Sequence, residues 1–326
     1  MIRDGEMKRD GASKFQILSL DGGGILGLYT ALVLAGFEKD HGVRIQDCFD
    51  LIVGTSTGGI LALGLGAGFS PQELVEFYLQ EGPKIFRRYR GLRHIFLSKF
   101  RQRDLELAIK KRLGDIELGS SSNRLVIPSY DYDSENIYLF KTPHHVDYRR
   151  DHEVPMWKVA LATSAAPTYF KICRYVNGTR MIDGGLWANN PSLIGISEAI
   201  SKLDIPLNSV HVLSIGTTSA VKSQTKFHNC GGWIFWANSI AKVIMKAQSE
   251  GVSAYCKILL ANRYLRINSI VPKGMFELDK LNLDDISSYA IKDSRQTTNE
   301  VHKMFLTHKA TKYHNHIGGK QHDEKQ

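Results

Sequence analysis

Cysteine is scarce in this 326-residue chain: Cys48, Cys173, Cys230 and Cys256 are the only four, with no C-x-x-C spacing and no histidines at finger-like intervals. That pattern argues against structural zinc and for buried, reduced thiols, as expected of a cytoplasmic protein. An apolar leader is missing too. Met1 to Asp10 is studded with charges, so no secretory signal is expected. The one long uncharged run, Leu51 to Phe69, has the length of a membrane span. Six glycines interrupt it, and a buried strand, a turn and a helix account for it better. There is no internal repeat and no linker that would divide the core. A hydrophobic content of 43% suits one α/β domain with a substantial interior. Residues 14–308 are expected to form that domain, between a flexible N-terminus (1–13) and a flexible polar tail (309–326).

Net charge is confined to one segment. Lys84 to Arg112 holds eleven basic residues against Asp104 and Glu106, which equals the whole formal charge of +9. Ile85, Phe86, Tyr89, Leu92, Ile95, Phe96, Leu97 and Phe100 interleave with the cations and make the stretch amphipathic. Three readings stay open. The cations could dock on anionic headgroups, at about 1 kcal/mol per charge near the surface. They could cradle the phosphates of a nucleotide, or they could simply solvate a helix face. Arg87, Arg88 and Arg90 are the candidate membrane or nucleotide contacts. Trp233 and Trp236 share a helical spacing with Ile240 and Ile244, which reads as a core-facing stripe.

Strands are expected at 15–20, 49–54, 125–127, 137–140, 180–182, 210–215 and 264–268. Helices are expected at 25–40, from Pro71 after the capping box at Ser70, and at 156–166, 190–203, 232–248 and 287–307. Buried strands alternating with helices imply a mostly parallel sheet covered on both faces, with ligands bound at the carboxyl ends of the strands.

Three motifs fall where an expected strand meets a turn. Gly54-Thr55-Ser56-Thr57-Gly58 is a G-x-S-x-G pattern, which holds a serine in a strained strand-to-helix corner at the head of a helix. Ser56 is therefore the candidate nucleophile. Asp21-Gly22-Gly23-Gly24 offers a run of bare amides, the chemistry of an oxyanion hole. Asp183-Gly184-Gly185 offers a distant carboxylate as general base. A free aspartate, with a pKa of about 3.9, is a poor base for a hydroxyl, so burial must raise it or proton loss must accompany attack. Each motif also has a plain reading, as a glycine-rich turn or a turn aspartate.

Two rival functions compete. Gly22, Gly24 and Gly27 also satisfy G-x-G-x-x-G, and a second strand from Val43 would end near Asp47, as a dinucleotide-binding fold requires. A Ser–His–Asp esterase for small soluble esters would need His211 or His228.

The succession DGGG, GTSTGG, DGG resembles that of patatin-like phospholipases from about residue 15 to 305. Ala165-Ala166-Pro167-Thr168-Tyr169-Phe170 and Ser214-Ile215-Gly216-Thr217 are similar to further blocks of that family. The resemblance implies a three-layer α/β/α sandwich and a metal-independent Ser–Asp dyad that cleaves fatty acyl esters of membrane glycerophospholipids. It carries Ser56 over as nucleophile, Asp183 as base and Gly22 to Gly24 as oxyanion hole. One position departs: the family reads DGGG-x-R-G, and Leu26 stands where the arginine would be, which puts the rigidity of the glycine loop in doubt.

Gly232-Trp233-Ile234-Phe235-Trp236, followed by Met245-Lys246-Ala247-Gln248, looks most like the CapV/CapE-type effectors of CBASS antiphage systems. This implies an enzyme held inactive until a cyclic di- or oligonucleotide binds, acting from the cytoplasm on the inner face of the membrane. No DNA or RNA partner is implied, and a homo-oligomer stays open.

Overall fold

Phe15–Leu20 (β1) and Leu51–Gly54 (β2) are buried at every position, which a strand covered on both faces requires. Their side chains divide between two cores. Leu18, Leu20 and Ile52 enter one, while Ile17, Leu51 and Val53 enter the other. This alternation makes the sheet the middle of three layers. The computed structural model describes residues 14–87, 98–220, 240–272, 282–313 and 315–317.

The larger core lies under helices α1 (Gly27–His41), α2 (Thr57–Gly66), α3 (Pro71–Ile85), α4 (Gln102–Leu113) and α5 (Met156–Thr163), with the C-terminal helix Leu283–Val301. The smaller core is covered by the helix Ser192–Ser201 and the long helix Ile240–Leu260. The remaining strands are β3 (Arg124–Asp131), β4 (Asn136–Lys141), β5 (Cys173–Val176), β6 (Thr179–Asp183), β7 (Val210–Ile215), β8 (Ser219–Ala220), β9 (Tyr264–Ile267) and β10 (Ile270–Val271). In the main sheet they run β5-β6-β3-β2-β1-β7-β9, with β4 also on β3. The five strands from β3 to β9 are parallel, while β4, β5 and β6 join antiparallel.

One detail of register positions the site. β3 pairs with β2 through Arg124 to Val126, then with β6 through Ser129 to Asp131. β4 occupies the other edge of β3 over the same span. β2 and β6 therefore lie on one edge of β3, run towards each other, and meet at their carboxyl ends. Gly54 leads out of one and Asp183 closes the other.

Several expectations need adjustment. The strand from Val43 does not form: Ile45–Cys48 is a 3-10 turn, with Asp47 N–H donating to Arg44 O. The helix expected to stop at Gln248 runs on to Leu260, because Val252, Cys256 and Leu260 continue its apolar face into the smaller core. Ile240 and Ile244, expected in the core, are 42% and 46% exposed, while Trp233 and Trp236 lie outside the described residues. Three residues beyond 309 are held against the domain. Ala310 N–H donates to Asp47 O, Thr311 N–H to Asp50, and Tyr313 OH to Ser121 O. No helix among the described residues is long and apolar enough to cross a membrane.

Candidate active site

Ser56 sits between β2 and α2 with φ 55° and ψ −120°, a backbone conformation that a residue with a side chain adopts only under strain. Its neighbours make the corner possible. A Cβ on Gly54 would collide with the carbonyl of Gly58, and one on Gly58 with the carbonyl of Leu20. The turn is closed by Gly58 N–H to Thr55 O at 2.8 Å. Ser56 N–H donates to Thr163 Oγ1 at 2.9 Å, and that hydroxyl donates onward to Pro128 O at 2.6 Å. Thr163 thus braces the corner from α5.

The Ser56 hydroxyl donates to Asp183 Oδ2 at 2.7 Å, across 127 residues of chain. Oδ1 of Asp183 accepts the Gly185 N–H at 2.6 Å, and the Asp183 N–H donates to Ala165 O at 3.1 Å. Gly184 lets the chain pass tightly over Pro128. Both residues are almost fully buried, Ser56 at 6% and Asp183 at 3% exposure. Burial lifts the Asp183 carboxyl from 3.8 to about 6, although the hydrogen bonds from Ser56 and Gly185 pull the other way. A hydroxyl donating to a carboxylate of raised pKa has the geometry of a nucleophile and its base.

The Ser56–Asp183 pair opens into a cavity of about 90 Å³, walled mainly by apolar side chains that include Ile60, Phe77, Ile85, Phe86, Phe170 and Met245. Gly23 and Gly24 line it as well. The three loop glycines are not equivalent. Gly22 N–H is committed to Asn189 O at 3.0 Å, so that amide faces away from an incoming oxyanion. The N–H groups of Gly23 and Gly24 have no acceptor among the described residues. Gly27 opens α1 against Thr57 and Tyr78, outside the cavity. Thr217 Oγ1 donates to Gly22 O at 2.9 Å and holds the loop from the β7 side.

Asp21 points away from the cavity into a buried ion pair. Arg266 Nη1 donates to Oδ1 at 2.7 Å and Nη2 to Oδ2 at 2.5 Å, with Ser249 Oγ on Oδ2 at 3.1 Å. Burial opposes the Arg266 charge, but the Asp21 carboxylate outweighs it and raises the guanidinium pKa. Leu26 is buried in the larger core.

No described histidine lines the cavity. His211 Nδ1–H donates to Ser209 O at 3.0 Å, at the start of β7, the opposite end of the sheet from the glycine loop. His228 lies outside the described residues. The dinucleotide reading loses the strand that would deliver Asp47, and Asp21 is already paired.

Of the candidate cationic contacts, Arg87 is exposed, while Arg88 and Arg90 lie outside the described residues. Part of the basic segment is neutralised by carboxylates that precede it and that a count within it misses: Lys84 and Lys111 pair with Glu81, and Arg112 with Glu73. Within the segment, Lys110 pairs with Glu106.

Thr163, Asn189, Ser249 and Arg266 were not singled out by the sequence patterns. Thr217 belongs to the Ser214–Thr217 block, whose position after a strand was the available signal.

Comparison with known proteins points one way. A family model described as patatin-like phospholipase matches residues 18–195. A cGAMP-activated phospholipase of Pseudomonas aeruginosa is 35% identical over 268 residues, 79% of this chain and 79% of that one. A second protein of that name, from Vibrio cholerae, is 30% identical over 328 residues, 89% of this chain and 92% of its own. The crystal structure of VipD from Legionella pneumophila aligns with 89% of this chain and 66% of that one, at TM-score 0.48 and 12% identity.

Proposed function

The chain belongs to the patatin-like phospholipase family, and from that premise we propose that Ser56 and Asp183 cleave fatty acyl esters of membrane glycerophospholipids under cyclic-nucleotide control. The observation that carries the reading is the 2.7 Å hydrogen bond from Ser56 Oγ to Asp183 Oδ2 inside an apolar cavity.

In the first half-reaction Ser56 Oγ attacks the ester carbonyl carbon while Asp183 takes its proton. Negative charge then grows on the carbonyl oxygen, where the N–H groups of Gly23 and Gly24 can meet it; one such donor is typically worth ~10²–10³ in turnover. Collapse breaks the ester bond, and Asp183 returns the proton to the departing lysolipid oxygen. In the second half-reaction Asp183 takes a proton from water, which attacks the acyl-serine; collapse breaks the bond from the acyl carbon to Ser56 Oγ, the proton passes from Asp183 to Oγ, and the fatty acid leaves. The apolar walls suit an acyl chain, and their low polarity strengthens the electrostatics at the dyad.

Control by a cyclic nucleotide is supported by the names of the relatives. About 90 Å³ is small against the ~300–1,000 Å³ of typical ligand sites, so the walls must part before a long chain enters. Docking of the cations around Arg87 on anionic lipid remains part of the reading.

The test is fatty acid release from phospholipid vesicles, with and without a panel of cyclic di- and oligonucleotides. Release that depends on one of these ligands and is absent in Ser56→Ala is expected. Full release by Ser56→Ala removes the dyad, and ligand-independent release removes the control.

A further inference from the structure

The glycine loop of this chain lacks the arginine of its motif, yet a different arginine reaches it from the other end of the sequence. We propose that Arg266 is a positioning residue for catalysis: it holds the Asp21 carboxylate away from the oxyanion site, so that the Gly23 and Gly24 N–H groups stay available to substrate. The proposal rests on the dyad reading above.

Strand register explains how Arg266 arrives. Ser19 on β1, Ser214 on β7 and Arg266 on β9 lie in one row across the sheet. Ser214 Oγ accepts from Arg266 Nη1 at 2.7 Å, and Ser249 Oγ accepts from Nη2 at 3.1 Å. Asp21 follows Ser19 by two residues and so presents its side chain to the same face. The guanidinium meets both carboxylate oxygens at once, a fork that lysine cannot reproduce. The side chains are 11% and 3% exposed, so no bulk water competes for the pair.

The consequence for the loop follows from what its other groups already do. Asp21 N–H is held by Ile215 O, Gly22 N–H by Asn189 O, and Gly22 O by Thr217. Only the next two amides are left. An aspartate without a partner readily accepts the N–H two residues ahead of it in an Asx turn, which for Asp21 is that of Gly23. Without the fork, the buried carboxylate would have Ser249 as its one described donor and would turn to that amide. It would then occupy the donor that the transition state needs.

This predicts a specific non-additivity. Arg266→Gln should lower kcat by ~10²–10³ with KM within about twofold, the loss expected for one missing oxyanion donor. Adding Asp21→Ala removes the competing carboxylate and should restore kcat to within about tenfold of wild type. Each protein is first shown to be folded by circular dichroism at the assay temperature, and Ser56 labelling by a fluorophosphonate is timed alongside turnover. A double variant no faster than Arg266→Gln overturns the proposal, as does an Arg266→Gln enzyme with wild-type kcat. If Arg266→Gln does not fold, Arg266→Lys decides: about a tenfold fall in kcat supports the fork, and wild-type turnover overturns it. Wild-type protein that is not labelled at Ser56 even with the cyclic nucleotide that switches on vesicle hydrolysis would instead remove the dyad reading on which all this stands.

Discussion

Replacing Asp183 by asparagine should make the protein more stable while it slows turnover severely. The carboxyl is raised from 3.8 to about 6 by burial, so the fold must hold a charged group where a neutral one would sit at lower cost. At pH 7 the penalty is about 3 kcal/mol, from the shift of roughly two units at 1.36 kcal/mol each. Asparagine keeps the acceptor for the Gly185 N–H and can donate to Ser56 Oγ, so neither hydrogen bond of the carboxylate is left vacant. At about 2 °C per kcal/mol for a chain of this size, Asp183→Asn should melt roughly 6 °C above wild type at pH 7.

The sign of the pH dependence makes the test sharper. Because the folded pKa is raised, the wild-type penalty is absent when the group is protonated in both states. It grows as pH rises through the interval between 3.8 and about 6, and is constant above. The gap between the Asp183→Asn and wild-type proteins should therefore fall to about half its pH 7 value at pH 5, and nearly vanish at pH 4. Melting curves of both proteins at these three pH values provide the measurement, with vesicle hydrolysis run in parallel. Loss of the general base should cost ~10²–10⁴ in kcat. An Asp183→Asn protein that melts with wild type at pH 7, or a gap that does not narrow on acidification, refutes the claim that burial of this charge is a standing cost of the fold.

Two further outcomes follow from the same geometry. The logarithm of kcat/KM plotted against pH should show an acid limb centred near 6, with activity at pH 5 about tenfold below the plateau; a flat profile down to pH 5 would mean that the base has an ordinary carboxyl pKa. Gly58→Ala places a methyl against the Leu20 carbonyl, two backbone segments that cannot yield separately, so denaturant unfolding should show a loss of at least about 3 kcal/mol, and near-wild-type stability would contradict the tight crossing.

Ser56 and Asp183 were legible in the sequence because each is announced by neighbours that must be glycine for local reasons, next to a strand whose burial is written in consecutive apolar residues. What brings them together was not legible. That β2 and β6 share an edge of β3 is a matter of register, and nothing within Leu51–Gly54 or Thr179–Asp183 encodes it. The same holds for the loop: three glycines look alike in sequence, and only the Asn189 carbonyl separates Gly22 from Gly23 and Gly24. Arg266 sits 245 residues from Asp21, in a short strand with no glycine motif to draw attention. The basic segment misled by isolation, since Glu73 and Glu81, which neutralise part of it, precede its boundary.

The proposed dyad raises the question of how a carboxylate does work that serine hydrolases commonly give to histidine. An imidazole has an ordinary pKa of about 6.5, close to ideal for moving a hydroxyl proton at neutral pH. Asp183 reaches about 6 without changing residue type, because the fold withdraws water from it and, among the described residues, provides only two hydrogen bonds in return. A third donor would have lowered it again, as carboxylates that accept several N–H groups become strongly acidic. Gly184, which brings the chain over Pro128, and Gly185, beside the carboxylate, add no polar side chain, and so would belong to the proposed base as much as the carboxylate does. The strained backbone at Ser56, a cost of order 1–3 kcal/mol, adds to the same account. Both costs fall on the meeting point of β2 and β6, and the buried strands around it are what allow the chain to carry them. On this argument, burial supplies here the basicity that residue choice supplies in a histidine triad.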